Sequence, residues 1–132
     1  FLAHKTISET LQQAKNADYA LVGVGDMNEN SHMIKLGWFT QQEFAEARIN
    51  EGIIGDIGGF DFFKRDGKSA NTRLRNRVIG LGTEDLRRIP NVIAIASEER
   101  KALAIAGALR TGSIDILATS VSCAMTLLNM ED

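Results

Sequence analysis

Three short apolar runs, nearly free of charge, constrain this chain more than any other feature. They are Y-A-L-V-G-V-G (19–25), N-V-I-A-I-A (91–96) and D-I-L-A-T (115–119). Each is too short for a buried helix and rich in residues that favour strands. None alternates apolar with polar residues, as a strand with one wet face would. Helical patterns separate them. Ile7, Leu11 and Ala14 recur at helical spacing over residues 6–16. Ser97 is placed to cap a long helix through Arg110, with Gly112 in its C-terminal turn. V-S-C-A-M-T-L-L-N (121–129) reads as a last helix. Strand, helix, strand, helix is the signature of a parallel sheet with right-handed crossovers. The expected fold is therefore α/β: three layers, with a mostly parallel sheet flanked by helices and its strands covered on both faces.

The middle of the chain interrupts this pattern. Residues 26–31 read as a polar loop, and the apolar positions of H-M-I-K-L-G-W-F (32–39) fit neither period. Thr40 with Glu43 three residues on forms a capping-box pattern, opening a helix to about Asn50 that Gly52 stops. I-I-G-D-I-G-G-F-D-F-F (53–63) reads as a strand that bends or lets something approach its backbone, since Gly55, Gly58 and Gly59 pack no side chain. Asp66-Gly67 is the strongest hairpin signal, with S-A-N-T-R-L (69–74) as the returning strand. A β-hairpin excursion around 53–75 is thus expected. Thr83 caps a short helix that Pro90 ends. No repeat, low-complexity tract or proline-rich linker divides the 132 residues, which suit one domain.

A net charge of −2 argues against a nucleic-acid-binding surface on this stretch itself, because phosphate contacts need a basic excess. The single cysteine, Cys123, forms no internal disulfide and points to a reducing, cytoplasmic home. No apolar run is long enough to span a membrane. The opening F-L-A-H-K-T-I-S is not a signal peptide, and Phe1, with no initiator Met, reads as an interior point of a longer chain.

Ligands of open α/β sheets bind beyond the C-terminal ends of the strands. Three such ends are polar here: Gly25-Asp26-Met27, Ser97 to Lys101, and Thr119 to Ser122. Asp56, alone among glycines, is either the acid of a structural bulge or a hydrogen-bond acceptor for a ligand. Lys101 opposes the helix dipole unless a phosphate joins it at the helix entrance, or a carboxylate such as Glu98 pairs with it. Thr119, Ser120 and Ser122 are helix caps more often than sugar ligands. Cys123 belongs to the core. His4 and His32 lack partners at metal-ligand spacing, so no metal or cofactor is expected. G-V-G-D (23–26) lacks the third glycine and following helix of a dinucleotide fingerprint. The basic run Lys64, Arg65, Lys68, Arg73, Arg75, Arg77 reads as a solvated face or subunit contact.

One ordered set of motifs carries a resemblance: A-L-V-G-V-G (20–25), E-G-I-I-G-D-I-G-G-F (51–60), D-G (66–67), V-I-G-L (78–81), D-L-R-R-I-P (85–90) and E-R-K-A-L-A-I-A-G-A-L-R-T-G-S-I-D-I-L-A-T (99–119). It resembles the C-terminal effector domain of the SorC family of bacterial transcriptional regulators, over residues 5 to 128, with the sorbose-operon branch as the nearest guess. The resemblance implies a sugar- or sugar-phosphate-sensing domain, similar in fold to phosphosugar isomerases, glucosamine-6-phosphate deaminases and CoA transferases but not catalytic. It implies that a helix-turn-helix region contacting operator DNA, and the first part of the sensing domain, lie outside this chain. It also implies a homo-oligomer, dimer or tetramer. By position it places ligand contacts on Asp56 and Lys101, with Gly25, Gly55 and Ser97 beside them. The chain departs from the family where Ser97-Glu98 replaces a frequent Gly-Gly, and where Thr119-Ser120 replaces a frequent Thr-Asp. A phosphate would be held differently there, or the ligand is an unphosphorylated sugar.

Two other readings stand beside this one. An isomerase- or deaminase-like enzyme would use Asp56 as its base. A ligand-free oligomerisation module would use the last helix and the basic hairpin. A partial sensing domain would leave sheet edges and apolar faces uncovered, and so self-associate or dissolve poorly.

Overall fold

The computed structural model describes residues 2–59, 61–70 and 72–130. In chain order the elements are α1 (Lys5–Lys15), β1 (Tyr19–Asp26), α2 (His32–Lys35), α3 (Gln41–Glu51), β2 (Ile53–Ile57), β3 (Asp61–Lys64), a 3-10 turn (Arg73–Arg77), α4 (Thr83–Arg88), β4 (Asn91–Ile95), a second 3-10 turn (Glu99–Lys101), α5 (Ala102–Arg110), β5 (Ile116–Ala118) and α6 (Val121–Asn129). They build one five-stranded sheet in the order β3-β2-β1-β4-β5. β1, β4 and β5 are parallel, as the three apolar runs require. β2 and β3 pair antiparallel, which makes the sheet mixed rather than parallel throughout.

Local chemistry explains the helix ends. Thr40 Oγ1 accepts the Glu43 N–H at 3.1 Å and Glu43 Oε1 accepts the Thr40 N–H at 3.2 Å, closing the expected capping box on α3. Gly52 then stops α3 in the left-handed region at φ 69°. Two expected caps shift. Gly82 is the N-cap of α4, with Asp85 accepting its N–H, while the Thr83 hydroxyl donates to the buried carboxylate of Asp61. Ser97 does not cap α5 either. Its carbonyl accepts the Ser120 hydroxyl at 2.9 Å, and a 3-10 turn precedes the helix, leaving Lys101 at the N-cap of α5.

The expected single strand over 53–63 is two strands. Gly58 and Gly59 take positive φ, 68° and 87°, and turn the chain back on itself. The Asp56 carboxylate fixes that turn by accepting the Gly59 N–H at 2.8 Å. The Asp66-Gly67 turn also forms, with Gly67 at φ 84°, but its returning strand shrinks to a bridge between Phe63 and Ser69. Thr72 accepts the Leu74 N–H and winds the following residues into a 3-10 turn that buries Leu74. Phe60 and Asn71, part of those two expected strands, lie outside the described residues.

Two cores flank the hairpin end of the sheet. On one face α5, α4 and α6 bury Val24, Ile57, Phe63, Val92, Ala94, Ile105 and Cys123. On the other, α2, α3 and the first 3-10 turn bury Met27, Phe39, Phe44, Ile53 and Phe62. At the parallel end only the first of these layers is present. Leu21, Ile95 and Ile116 stand on the second face and are exposed. The expectation of three layers with doubly covered strands is therefore corrected: it holds at the hairpin and fails at β4 and β5, where no helix among the described residues reaches the second face.

Gly55 marks close packing of the hairpin against β1 and α5. A Cβ there would lie 2.5 Å from the Gly25 carbonyl, 2.9 Å from the Phe63 ring and 3.0 Å from Ala104. Gly55→Ala should destabilise the fold by roughly 1–3 kcal/mol, since backbone and a buried ring must move. A thermal or urea melt checks this, with Gly23→Ala, where a Cβ meets nothing within 4 Å, as the mild control.

Candidate functional site

The site grows from the register of β1 against β2. Gly25 pairs with Asp56, and Asp26 with Gly55, so the antiparallel hairpin delivers its one acid to the C-terminal end of β1. Cross-strand partners share a face. Gly25 has no side chain, and a Cβ at that position would collide with Asp56 Oδ1. A glycine at 25 is thus the condition for a carboxylate at 56. Asp56 is only 3% exposed. Its Oδ2 holds the Gly59 N–H, and its Oδ1 is buried without a partner among the described residues.

Burial raises the Asp56 pKa to about 6, opposed by the Gly59 hydrogen bond and the Lys101 charge and reinforced by Asp26 and Asp61. Lys101 therefore acts electrostatically on Asp56, although 45 positions separate them in sequence. Its ammonium sits 3.0 Å from Glu98 Oε1. Arg100 bridges the same carboxylate at 2.8 Å and Asp26 Oδ2 at 3.3 Å. Hydrogen bonding from Lys101 holds the Glu98 pKa below the ordinary carboxylate range, with Arg100 adding to it. Three carboxylates (Asp26, Asp56, Glu98) and two cations (Arg100, Lys101) thus gather beyond the strand ends. The loop after β4 is tied to α6 at two points: Ser120 to the Ser97 carbonyl, and the Thr126 hydroxyl to Glu99 Oε1 at 2.9 Å.

Of the sequence candidates, Gly25 and Asp56 pair across the strands, and the Lys101 charge bears on Asp56. Gly55 packs under them against α5 and Phe63, on the opposite face from Asp56. Ser97 is exposed and contributes a carbonyl to Ser120. Ser120 is also the cap of α6, accepting the Cys123 N–H. The Thr119 hydroxyl is buried without a partner among the described residues. Cys123 is fully buried in the core. The basic run divides: Arg75 faces Asp61 at 3.9 Å, while Arg77 pairs with Glu43 and lies over the Phe39 ring. Among the described residues, no group of three His, Cys, Asp or Glu could hold a metal, and no helix is long and apolar enough to cross a membrane.

Sequence reasoning passed over Asp26 as an ion-pair partner and Asp61 altogether. Asp61 is buried, with its pKa raised by desolvation against the pull of Arg75 and Thr83. The one available signal was an acid inside the aromatic run F-D-F-F (60–63), where a charge without partners would be costly.

Residues 1–129 match the family model described as "Putative sugar-binding domain". The chain belongs to this family. Its fold superposes with a TM-score of 0.89 on the "Putative Sugar-Binding Domain of Transcriptional Repressor" from Vibrio fischeri, at 71% identity, covering 97% of this chain and 51% of that one. Transcriptional regulator LsrR of Escherichia coli K12 is 33% identical over 123 residues, 92% of this chain and 39% of that protein. The deoxyribonucleoside regulator of Bacillus subtilis is 29% identical over 93% of this chain and 38% of its own length. These relatives are transcriptional regulators, not enzymes. It spans about two-fifths of the curated relatives it matches. The full-length sorbitol operon regulator SorC of Klebsiella pneumoniae, at 24% identity and TM-score 0.85, shares the fold; that likeness does not carry the sorbose-operon expectation.

The sign of the Asp56 effect is fixed. Its pKa is raised on folding, so its stabilising contribution is complete below about pH 4 and lost as pH rises through about 6. The loss is on the order of 3 kcal/mol at most. Asp56→Asn should flatten the stability profile between pH 4 and 6 and raise stability at pH 7.5 by roughly 1–3 kcal/mol. Urea melts across that range, compared with wild type, check both.

Proposed function

We propose that this chain is the C-terminal portion of the effector-sensing domain of a bacterial regulator of a carbohydrate operon, working in the cytoplasm, with Asp56 and Lys101 contacting a sugar or sugar phosphate. Gly25 makes room for the acid, Gly55 seats the hairpin, and Ser97 lies on the loop that carries the lysine. One observation carries this reading: Asp56 keeps a buried oxygen with no donor. An unpaired buried carboxylate is a net cost to the fold, so its retention beside a glycine-cleared strand end fits an acceptor reserved for ligand hydroxyls. The fold layer missing at the parallel end fits the phosphosugar-isomerase-like architecture of which this would be one part. DNA contact would come from a helix-turn-helix elsewhere in the regulator. Ligand binding would shift the population between oligomer geometries of different operator affinity.

Glu98 sets a condition on the ligand. It already neutralises Lys101 at 3.0 Å, so an anionic group reaching that ammonium must displace a carboxylate. Neutral sugars escape this competition.

The test is a calorimetric titration of the full-length regulator with neutral sugars and their phosphates. Asp56→Ala and Lys101→Ala should each weaken the binding of the active ligand at least tenfold. Affinity should fall as pH drops through about 6, because ligand hydroxyls donate to the ionised Asp56. Glu98→Gln should strengthen binding of a phosphorylated ligand several-fold and leave a neutral one little changed. Binding indifferent to both Asp56→Ala and Lys101→Ala overturns the site. Turnover of a sugar phosphate abolished by Asp56→Asn overturns the regulator reading itself.

A further inference from the structure

Asp61 is the second buried acid of the hairpin, and the ligand contacts proposed above make no use of it. It pairs with Ile57 across β2 and β3, so its side chain lies on the Ile57 face, towards α4. Asp56, one residue earlier on β2, stands on the other face. The two acids thus bracket the Gly58-Gly59 turn from opposite sides of the sheet. Asp61 is 2% exposed, and its Oδ1 accepts no hydrogen bond among the described residues. A buried carboxylate with an unfilled oxygen costs stability that a well-packed apolar residue there would not. Packing alone does not account for an acid at this position.

Its contacts come from two distant segments. The Thr83 hydroxyl, at the start of α4, donates to Asp61 Oδ2. The Arg75 guanidinium, from the first 3-10 turn, stands 3.9 Å from Oδ1. Gly82 admits that guanidinium, since a Cβ at 82 would lie 2.8 Å from Arg75 Nη2. β3 is an edge strand of four residues, and such strands fray from their ends. Away from the turn, β3 is propped by the chain that follows it. The Phe62 carbonyl accepts the Ala70 N–H, and the Lys64 N–H donates to the Lys68 carbonyl, each at 2.9 Å. At the turn end the Asp61 side chain supplies the hold. Two residues before Asp61, the Gly59 N–H donates to Asp56 Oδ2.

We propose that Asp61 is a positioning residue for the candidate site: clamped by Thr83 and Arg75, it fixes the far limb of the turn and so keeps the Gly59 amide on Asp56. Its bearing on a ligand rests on Asp56 as the ligand contact; its hold on Gly59 does not. The consequence is chemical as well as mechanical. The Gly59 hydrogen bond and the Lys101 charge favour ionised Asp56, while burial, Asp26 and Asp61 oppose it. If the Gly59 N–H is lost, Asp56 ionises only at higher pH, and it accepts hydroxyl protons less well near neutrality. The groups that bear on Asp61 itself are Arg75, on the 3-10 turn, and Arg87 and Asp85, on α4.

Thr83→Val tests this in the full-length regulator, because it keeps the side-chain shape and removes the donor. In hydrogen exchange at single-residue resolution, the Gly59 amide should speed up about tenfold relative to the amide of Ala108, on the buried face of α5. A general loss of stability would speed both alike. Thr83→Ser should restore the original rate. Arg75→Gln, at a half-exposed position, should move Gly59 the same way by less. The stability difference made by Asp56→Asn, followed by urea melts from about pH 4 to about pH 8, isolates the Asp56 titration. Its midpoint should rise from about 6 by about half a unit in the Thr83→Val background. Asp61→Asn, which keeps an acceptor for Thr83 and removes a like charge, should not raise it. Gly59 exchange unchanged relative to Ala108 in both Thr83→Val and Arg75→Gln overturns the clamp. Faster exchange with an unmoved Asp56 midpoint overturns its role at the site. None of these measurements uses a sugar, so their failure is distinct from a failure of Asp56 and Lys101 to bind one.

Discussion

Much of this structure depends on one buried carboxylate against two glycines. Asp56 occupies space that any side chain at Gly25 would take, and it holds the turn at Gly59 that reverses the hairpin. That hairpin is the antiparallel half of the sheet. It separates the two cores, and it carries the acid to the end of β1. The arrangement costs stability at neutral pH, because burial opposes the ionised form and one oxygen has no donor. A cost of this kind is what the proposed role of Asp56, an acceptor positioned ahead of its ligand, would leave in the fold.

The ion pairs around it set the electrostatics. Lys101 acts on Asp56 while Glu98 holds it, and Arg100 joins Glu98 to Asp26 across the ends of β4 and β1. The helix entrance where an anion would be expected to sit already contains an internal anion. This is the physical content of the departure from Gly-Gly at Ser97-Glu98: for the proposed ligand, Glu98 would add a competitor as well as bulk.

The parallel strands, the α3 capping box, the Gly52 stop and the span of α6 were legible in the sequence, because uncharged runs, Thr40/Glu43 spacing and a C-terminal glycine each have one dominant local cause. The hairpin was half legible. Three glycines in one apolar run announced a disturbance, but whether they bend a strand or reverse it depends on Asp56 reaching Gly59, a contact invisible to periodicity. Ser97 and Thr83 looked like caps and were diverted to tertiary partners, Ser120 and Asp61. Asp56 and Lys101 stood out one at a time. Their electrostatic coupling depends on the β1–β2 register, which no local pattern encodes. The bare face was not legible from strand composition at all, since a strand bare on one face can have the same apolar residues as one covered on both.

The two hydrogen bonds tying the loop after β4 to α6 have a mechanical consequence. Ser97 and Glu99 are anchored to Ser120 and Thr126, on either side of the first turns of that helix. Were the proposed ligand to pull Lys101 away from Glu98, it would displace a segment stitched to α6, and the displacement would be handed on as a tilt of that helix. Val121 and Leu128 project from that helix into solvent, so a rearrangement at the strand ends would be presented to any neighbouring molecule as a change in the attitude of an oily ridge.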